Sequence, residues 1–155
     1  MKTFAFNKRA RFDYEILETF EAGIALKGFE VKAIRANNVS LKGAYVVIQN
    51  TGARKTPEAW IINMHIAEYK MASIPEKYEP TRSRKLLLHK REITRLLGKQ
   101  REKGLTLVPI SLYTKGGKIK LEFGLGRGKK RLDKRESIKE RESNRRIQRA
   151  MRGKV

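Results

Sequence analysis

The stretch LTLVPISLYTKGGKIKLEFGL, residues 105–125, decides the fold class. At its centre, Lys115-Gly116-Gly117 is a glycine turn of the kind that joins two antiparallel strands. Beyond the turn, Ile119, Leu121, Phe123 and Leu125 alternate with Lys118, Lys120, Glu122 and Gly124. A period of two sends one row of side chains to a core and the other to water or a partner. Residues 105–113 supply the opposing strand, so the stretch predicts a β-hairpin.

Upstream, residues 14–21 read as a further strand, which 23–26 extend beyond a bulge. Residues 28–36 read as a short helix with Val31 and Ile34 on one face. The valine- and isoleucine-rich residues 41–49 and the apolar run 59–66 predict two more strands, joined by a loop over 50–57. Pro75, Pro80 and scattered charges make 68–84 a long irregular excursion. A helix over 89–103 follows, with Ile93, Leu96 and Leu97 as its apolar face. Several short strands with two brief helices predict a mainly β protein, a small antiparallel barrel with flanking helices, because closure removes exposed strand edges.

The chain has 155 residues, with 37 lysines and arginines against 16 acids, a net charge of +21. Such an excess attracts polyanions and repels itself. Nucleic acid is the first candidate partner, since neutralising phosphates releases condensed counterions. No stretch approaches the roughly 20 apolar residues of a membrane-spanning helix, and residues 1–12 lack the apolar core of a secretion signal. With no cysteine, disulfides and thiolate zinc sites are excluded. A cytoplasmic protein with no membrane partner is expected.

Two basic segments flank the barrel. Residues 1–11 hold Lys2, Lys8, Arg9 and Arg11 and no acid, with Phe4, Phe6 and Phe12 interleaved. Basic residues among aromatics suit phosphate pairing and base stacking, although the phenylalanines could equally cover the barrel. Residues 127–155 hold 13 basic and 4 acidic residues, a net of +9, and only Leu132, Ile138, Ile147 and Met151 are large and apolar. That is too little burial to offset ordering entropy, so the tail is expected to be disordered when free. The domains expected are therefore a barrel over 1–126 and a tail over 127–155.

Catalytic readings are weak. The run from Gly124 to Lys130 lacks the spacing of a phosphate-binding loop and reads as a flexible exit into the tail. His65 and His89 have no cysteine companions; His65 reads as a packed strand residue, and His89 as an RNA contact or helix start. Glu21 and Glu30 could be proposed as paired carboxylates, but acids in a basic site also accept from base edges or orient arginines. No nucleophile motif surrounds Ser40, Ser73, Ser83 or Ser111. A non-enzyme without cofactor or metal is expected.

Several segments in one order resemble the SsrA-binding proteins (small protein B) of bacteria. They are Asn-Lys-Arg-Ala-Arg at 7–11, Phe-Glu-Ala-Gly at 20–23 and Gly-Phe-Glu-Val-Lys at 28–32. Arg-Lys-Leu-Leu-Leu-His-Lys-Arg-Glu-Ile at 84–93, Gly-Lys-Lys at 128–130 and Asp-Lys-Arg at 133–135 continue the series. The resemblance implies an oligonucleotide-binding (OB-like) barrel that binds the tRNA-like domain of transfer-messenger RNA and brings it to stalled ribosomes for peptide tagging. It implies RNA contacts at Asn7, Lys8, Arg9, Arg11, Glu21, Leu87 and His89, with Arg84, Lys85 and Lys90 of the same motif counted among them. Amides and carboxylates would read base edges while cations hold phosphates.

The tail is implied to become helical in the decoding centre and the empty messenger channel of the 70S ribosome. Gly128, Lys129, Lys130, Asp133, Lys134 and Arg135 match its near end, and Ile147 and Met151 its distal part. The alanyl form of the RNA would arrive with elongation factor Tu, with this protein as a monomer in the RNA complex. Leu132 stands where the family often has histidine or tyrosine, so ring stacking there is absent, and the 50–58 loop is longer than common. A structural ribosomal protein and an RNA-modifying enzyme are the other classes that the composition admits.

Overall fold

A computed structural model describes residues 1–51, 56–69, 77–102, 104–129 and 131–152. The centres of the 50–58 loop and of the 68–84 excursion, together with Lys130, lie outside the described residues.

The hairpin is present and longer than its alternation suggested. β8 (Leu105–Lys115) and β9 (Lys118–Gly128) pair from Lys115↔Lys118 down to Leu105↔Arg127. Gly116 and Gly117 take φ angles of 60° and 74°, the left-handed region that a two-residue hairpin turn requires. β9 does not loosen into a flexible exit at Gly124, as its glycines suggested. An added Cβ at Gly124 would lie 2.8 Å from Ile16 Cγ2 and 3.1 Å from Ile110 Cδ1. The glycine is there because neighbouring isoleucines cross the strand.

β2 (Tyr14–Ile24) pairs with β9 along its length, and its register shift falls between Ile16 and Glu18 rather than near Gly23. β7 (Arg84–Leu87) joins the other edge of β2, β5 (Thr56–Ile62) joins β7, and β4 (Tyr45–Thr51) joins β5. β4 returns to β8 through the bridge Val46↔Leu107. These pairings close a ring of six antiparallel strands, with β1 (Thr3–Phe6) on β8 beside the closure. The strand in the N-terminal arm was not legible among its charges.

The closure of β4 is completed by a side chain. α3 (Lys90–Gln100) ends sooner than the predicted 103, and Gln100 lies against β4. Its Oε1 accepts from the Ile48 N–H at 2.9 Å, and its Nε2 donates to the Ile48 carbonyl at 3.2 Å. The amide does the work of a missing strand residue, since buried backbone groups must find partners.

Inside the ring lie Ile119, Leu121, Phe123 and Leu125 with Ala22, Ile48, Ile61, Leu86, Leu107 and Leu112. Leu96 of α3 and Ile34 of α2 (Gly28–Arg35) are also wholly buried in this core. A smaller cluster of Ala10, Val108 and Ile110 forms with Tyr14 and Ile16 where α1 (Ala10–Asp13) covers the outside of β8. The expected 59–66 strand is divided at Asn63, whose φ of 62° breaks the extended run. The remainder, β6 (His65–Ile66), pairs with β3 (Val39–Ser40). His65, expected to pack, is exposed there. The tail forms one helix, α4 (Arg131–Arg152), with Ile138 and Ile147 exposed. The Phe12 ring has the Arg9 guanidinium 5.0 Å from its centroid and that of Arg141, from α4, at 5.6 Å.

Candidate nucleic-acid interface

Strand register brings one outward row together from four strands: Leu87 of β7, Gly23 of β2, Lys120 of β9 and Tyr113 of β8. The next row holds Glu21, Glu122 and Ser111, and reaches Phe6 of β1. Glu21 and Glu122 face one another directly, a like-charge pair that cations must offset. The Tyr113 hydroxyl donates to Glu21 Oε2, and Lys115 Nζ lies 3.5 Å from the same oxygen. The Tyr113 hydrogen bond, aided by the charges of Lys115 and Lys120, holds the Glu21 carboxyl below its ordinary value of 4.5. Burial and the facing carboxylate push the Tyr113 phenol up, so it keeps its proton and stays a donor.

Leu87 is 55% exposed, an apolar surface beside the carboxylate. Next to it is a cleft of about 360 Å³ lined by Leu26, Val31, Arg35, Lys118 and Lys120. His89 is exposed at the N-cap of α3, where its backbone N–H is 3.4 Å from Glu92 Oε1. Lys90 opens the helix, and Lys85 is exposed with Glu58 at 3.8 Å. An ionised face with an apolar patch offers acceptors, phosphate-pairing cations and a stacking surface together.

The second group gathers at the start of α1. Asn7 is half-buried, and its amide is already in use: Nδ2 donates to the Pro109 carbonyl at 2.9 Å and Oδ1 accepts from the Arg9 N–H at 3.2 Å. Its first role here is to shape the turn into α1. Lys8, Arg9 and Arg11 are exposed, with Arg9 held at 3.2 Å by Asp13. Lys8 and Arg9 edge a groove of about 690 Å³ with Phe6, Lys42 and Tyr45. Phe6 is 57% exposed, whereas Phe4 packs against the core, so the aromatics of the arm divide between the two readings. Phe6 and Glu21 lie three strands apart in one row, about 14 Å at ordinary strand spacing. The two groups are therefore linked around the barrel wall through Glu122 and Ser111.

Arg84 is different. Wholly buried, it donates from Nε to Glu30 Oε2 at 2.7 Å and from Nη1 to the Met64 carbonyl at 2.6 Å. Arg82 also binds Glu30, and the Tyr78 hydroxyl lies 3.2 Å from Glu30 Oε2. Glu30 is likewise wholly buried, so this carboxylate orients arginines inside the fold and neither residue of the Glu30–Arg84 pair faces a partner. Glu21 and Glu30 do not form a site together. Tyr113, Lys115, Lys118 and Lys120 were missed as site residues, although the alternation in β9 had turned its lysines outward.

On the tail side, Gly128 ends β9, and the Lys129 N–H donates to the Asp13 carbonyl at 2.8 Å. Asp133, Lys134, Arg135, Ile147 and Met151 all fall on α4, with Arg135 and Ile147 exposed. Among the described residues, no cluster of histidine and acidic residues suits a metal ion, and no helix is long and apolar enough to cross a membrane.

A closed antiparallel barrel with a cation-rich outer face and a basic helical extension defines an RNA-binding barrel protein. The chain belongs to the SmpB protein family, whose model matches residues 4–153. It is 51% identical over 154 residues to the SsrA-binding protein of Synechococcus sp. (strain JA-3-3Ab), covering 99% of this chain and 96% of the relative. Against the SsrA-binding protein of Persephonella marina, identity is 50% over 155 residues, with coverage of 100% and 97%. The fold is similar to that of a chain in the structure described as "tmRNA-SmpB: a journey to the center of the bacterial ribosome". The TM-score is 0.64 and the identity 48%, covering 86% of this chain and 92% of that one.

Proposed function

We propose that the chain binds the tRNA-like domain of transfer-messenger RNA and delivers it to stalled ribosomes for trans-translation, as a non-catalytic adaptor in the cytoplasm. The observation that supports this best is the joining of Glu21, Leu87 and the lysines of β8 and β9 on one outward face, in a chain related end to end to SsrA-binding proteins. The face with Glu21, Leu87, His89, Lys85 and Lys90 takes an exposed loop of the folded RNA. Lys8, Arg9 and Arg11 hold phosphates alongside. Asn7 acts mainly by setting the start of α1, and Arg84 by holding β7 against Glu30.

The tail reaches the decoding centre and enters the empty messenger channel, with its near end from Gly128 to Arg135 on ribosomal RNA and Ile147 and Met151 making apolar contacts further in. The tail has few large apolar residues, and Ile138 and Ile147 among them are exposed, so it is unstructured in the free protein and helical when engaged. The protein acts as a monomer with the RNA, which arrives in its alanyl form with elongation factor Tu.

The test is binding of the purified protein to the tRNA-like domain at physiological salt with excess unrelated structured RNA. Competition matters because a +21 protein holds any polyanion at low salt. Selective binding that survives the competitor supports the adaptor. Equal loss to any RNA reduces the protein to a general basic RNA binder and makes a ribosomal protein the better reading.

A further inference from the structure

Glu21 is the residue of the proposed face whose chemistry depends most on its neighbours. A glutamate on an open strand has three side-chain torsions to lose on binding, and it stands opposite Glu122. Its side chain is 34% exposed, enough for one oxygen to meet a ligand. Among the described residues, both of its partners sit on Oε2, and neither touches Oε1. The stronger partner, Tyr113, is only 5% exposed, and its ring is fixed by the packing around it.

We propose that Tyr113 is a positioning residue for RNA recognition: its hydroxyl, donating to Glu21 Oε2, holds the carboxylate on the strand face and leaves Oε1 as acceptor for an N–H on the edge of an unpaired base. This rests on the reading of Glu21 as an RNA contact. Preorganisation of this kind removes a rotamer cost that binding would otherwise meet. It also selects for base edges that donate, because an ionised carboxylate has only acceptors. Lys115, at 3.5 Å and exposed, supplies charge without a comparable geometric hold.

The groups facing Glu21 are Tyr113 and Lys115 from β8 and Lys120 and Glu122 from β9. On the β7 side Leu87 pairs with Gly23, two residues from Glu21, and the register continues to His89 at the N-cap of α3, while Lys85 is turned to Glu58. Glu122, and His89 at the head of α3, are common to every variant below, so whatever they add is shared. Removing the Tyr113 hydroxyl raises the Glu21 value, so the carboxylate is lost sooner as pH falls.

The experiment measures affinity for the tRNA-like domain of transfer-messenger RNA between pH 7 and pH 4.5, down to the ordinary value of a glutamate carboxyl. The proteins are the wild-type chain, Tyr113→Phe, Glu21→Gln and the double variant. Tyr113→Phe is expected to weaken binding roughly two- to tenfold, the worth of ordering one side chain on binding. Its deficit against wild type should widen on acidification, which a purely structural loss would not do. The double variant should bind no more weakly than Glu21→Gln, whose affinity should not show that widening.

If Glu21→Gln binds like wild type, the reading of Glu21 as a contact is overturned. If Glu21→Gln is weakened while Tyr113→Phe is not, or if the two losses add in the double variant, the positioning role is overturned and the contact stands. Should Tyr113→Phe fail to fold, the Glu21 carboxyl carbon is titrated by NMR in a Lys115→Gln, Lys120→Gln protein, where Tyr113 remains as the group that lowers it. A midpoint below the ordinary carboxylate value upholds the role, and one at or above it overturns the role.

Discussion

Glu30 and Arg84 show how residue type alone misleads about exposure. Both are charged, both fall in motifs that point to RNA, and both are wholly buried against each other. A buried ion pair costs desolvation that only its own partner and hydrogen bonds offset, so removing one member leaves an uncompensated charge. Glu30→Ala should therefore destabilise the fold by about 3–5 kcal/mol, read as a lowered midpoint in urea unfolding. Although burial alone would raise the Glu30 carboxyl, hydrogen bonds from Arg82, the Lys27 backbone and Arg84 outweigh it and hold the group below 4.5. A lowered folded value means the stabilisation is present above the unfolded value and is lost as pH falls through the folded one. Wild-type stability should thus drop as pH falls below about 4.5, and a Glu30→Gln protein, weaker at neutral pH, should lack this part of the acid loss. The Arg-Lys-Leu motif revealed that position 84 matters; its role required knowing that β7 runs beside the C-terminal end of the excursion.

At the scale of elements, the weakest joint of the ring is the meeting of β4 and β8, a single bridge at Val46↔Leu107. Gln100 strengthens it through both hydrogen bonds to Ile48. Replacing Gln100 by alanine leaves a buried N–H and C=O to find other partners, a cost of about 1–3 kcal/mol. Faster amide hydrogen exchange at Ile48, with β2 and β9 unaffected, is the expected signature; unchanged protection at Ile48 would show that the closure does not depend on Gln100. No local pattern marks this residue, because a glutamine at a helix end is ordinary until the facing strand is known. The hairpin was legible for the opposite reason: its turn and alternation are adjacent in the chain.

For the whole molecule, the proposed function has charge setting the strength of binding and the barrel face setting choice. If the tail adds mainly phosphate contacts, removing residues 131–155 should lower the slope of log affinity against log salt while sparing selectivity for the tRNA-like domain. For about 6–10 phosphate contacts, the full chain should lose roughly 10³–10⁵ in affinity between about 50 and 200 mM salt. The same truncation should abolish peptide tagging on stalled ribosomes. Loss of selective RNA binding on truncation would show instead that body and tail form one recognition surface.

The sequence by itself determined the mainly β class, the central hairpin, the apolar faces of α2 and α3, the basic character of both flanks and the family. Each of these is written in local periodicity or in short motifs in a fixed order. Tertiary structure decided that β1 exists, that Arg84 and Glu30 are interior, that Asn7 shapes a turn and that Tyr113 meets Glu21. Those outcomes depend on partners far apart in the chain: Tyr113 and Glu21 are separated by 92 residues and meet across β9. Periodicity can say that a side chain faces outward. Only strand order and register say what stands beside it, because a shift of one residue would exchange every neighbour on the face.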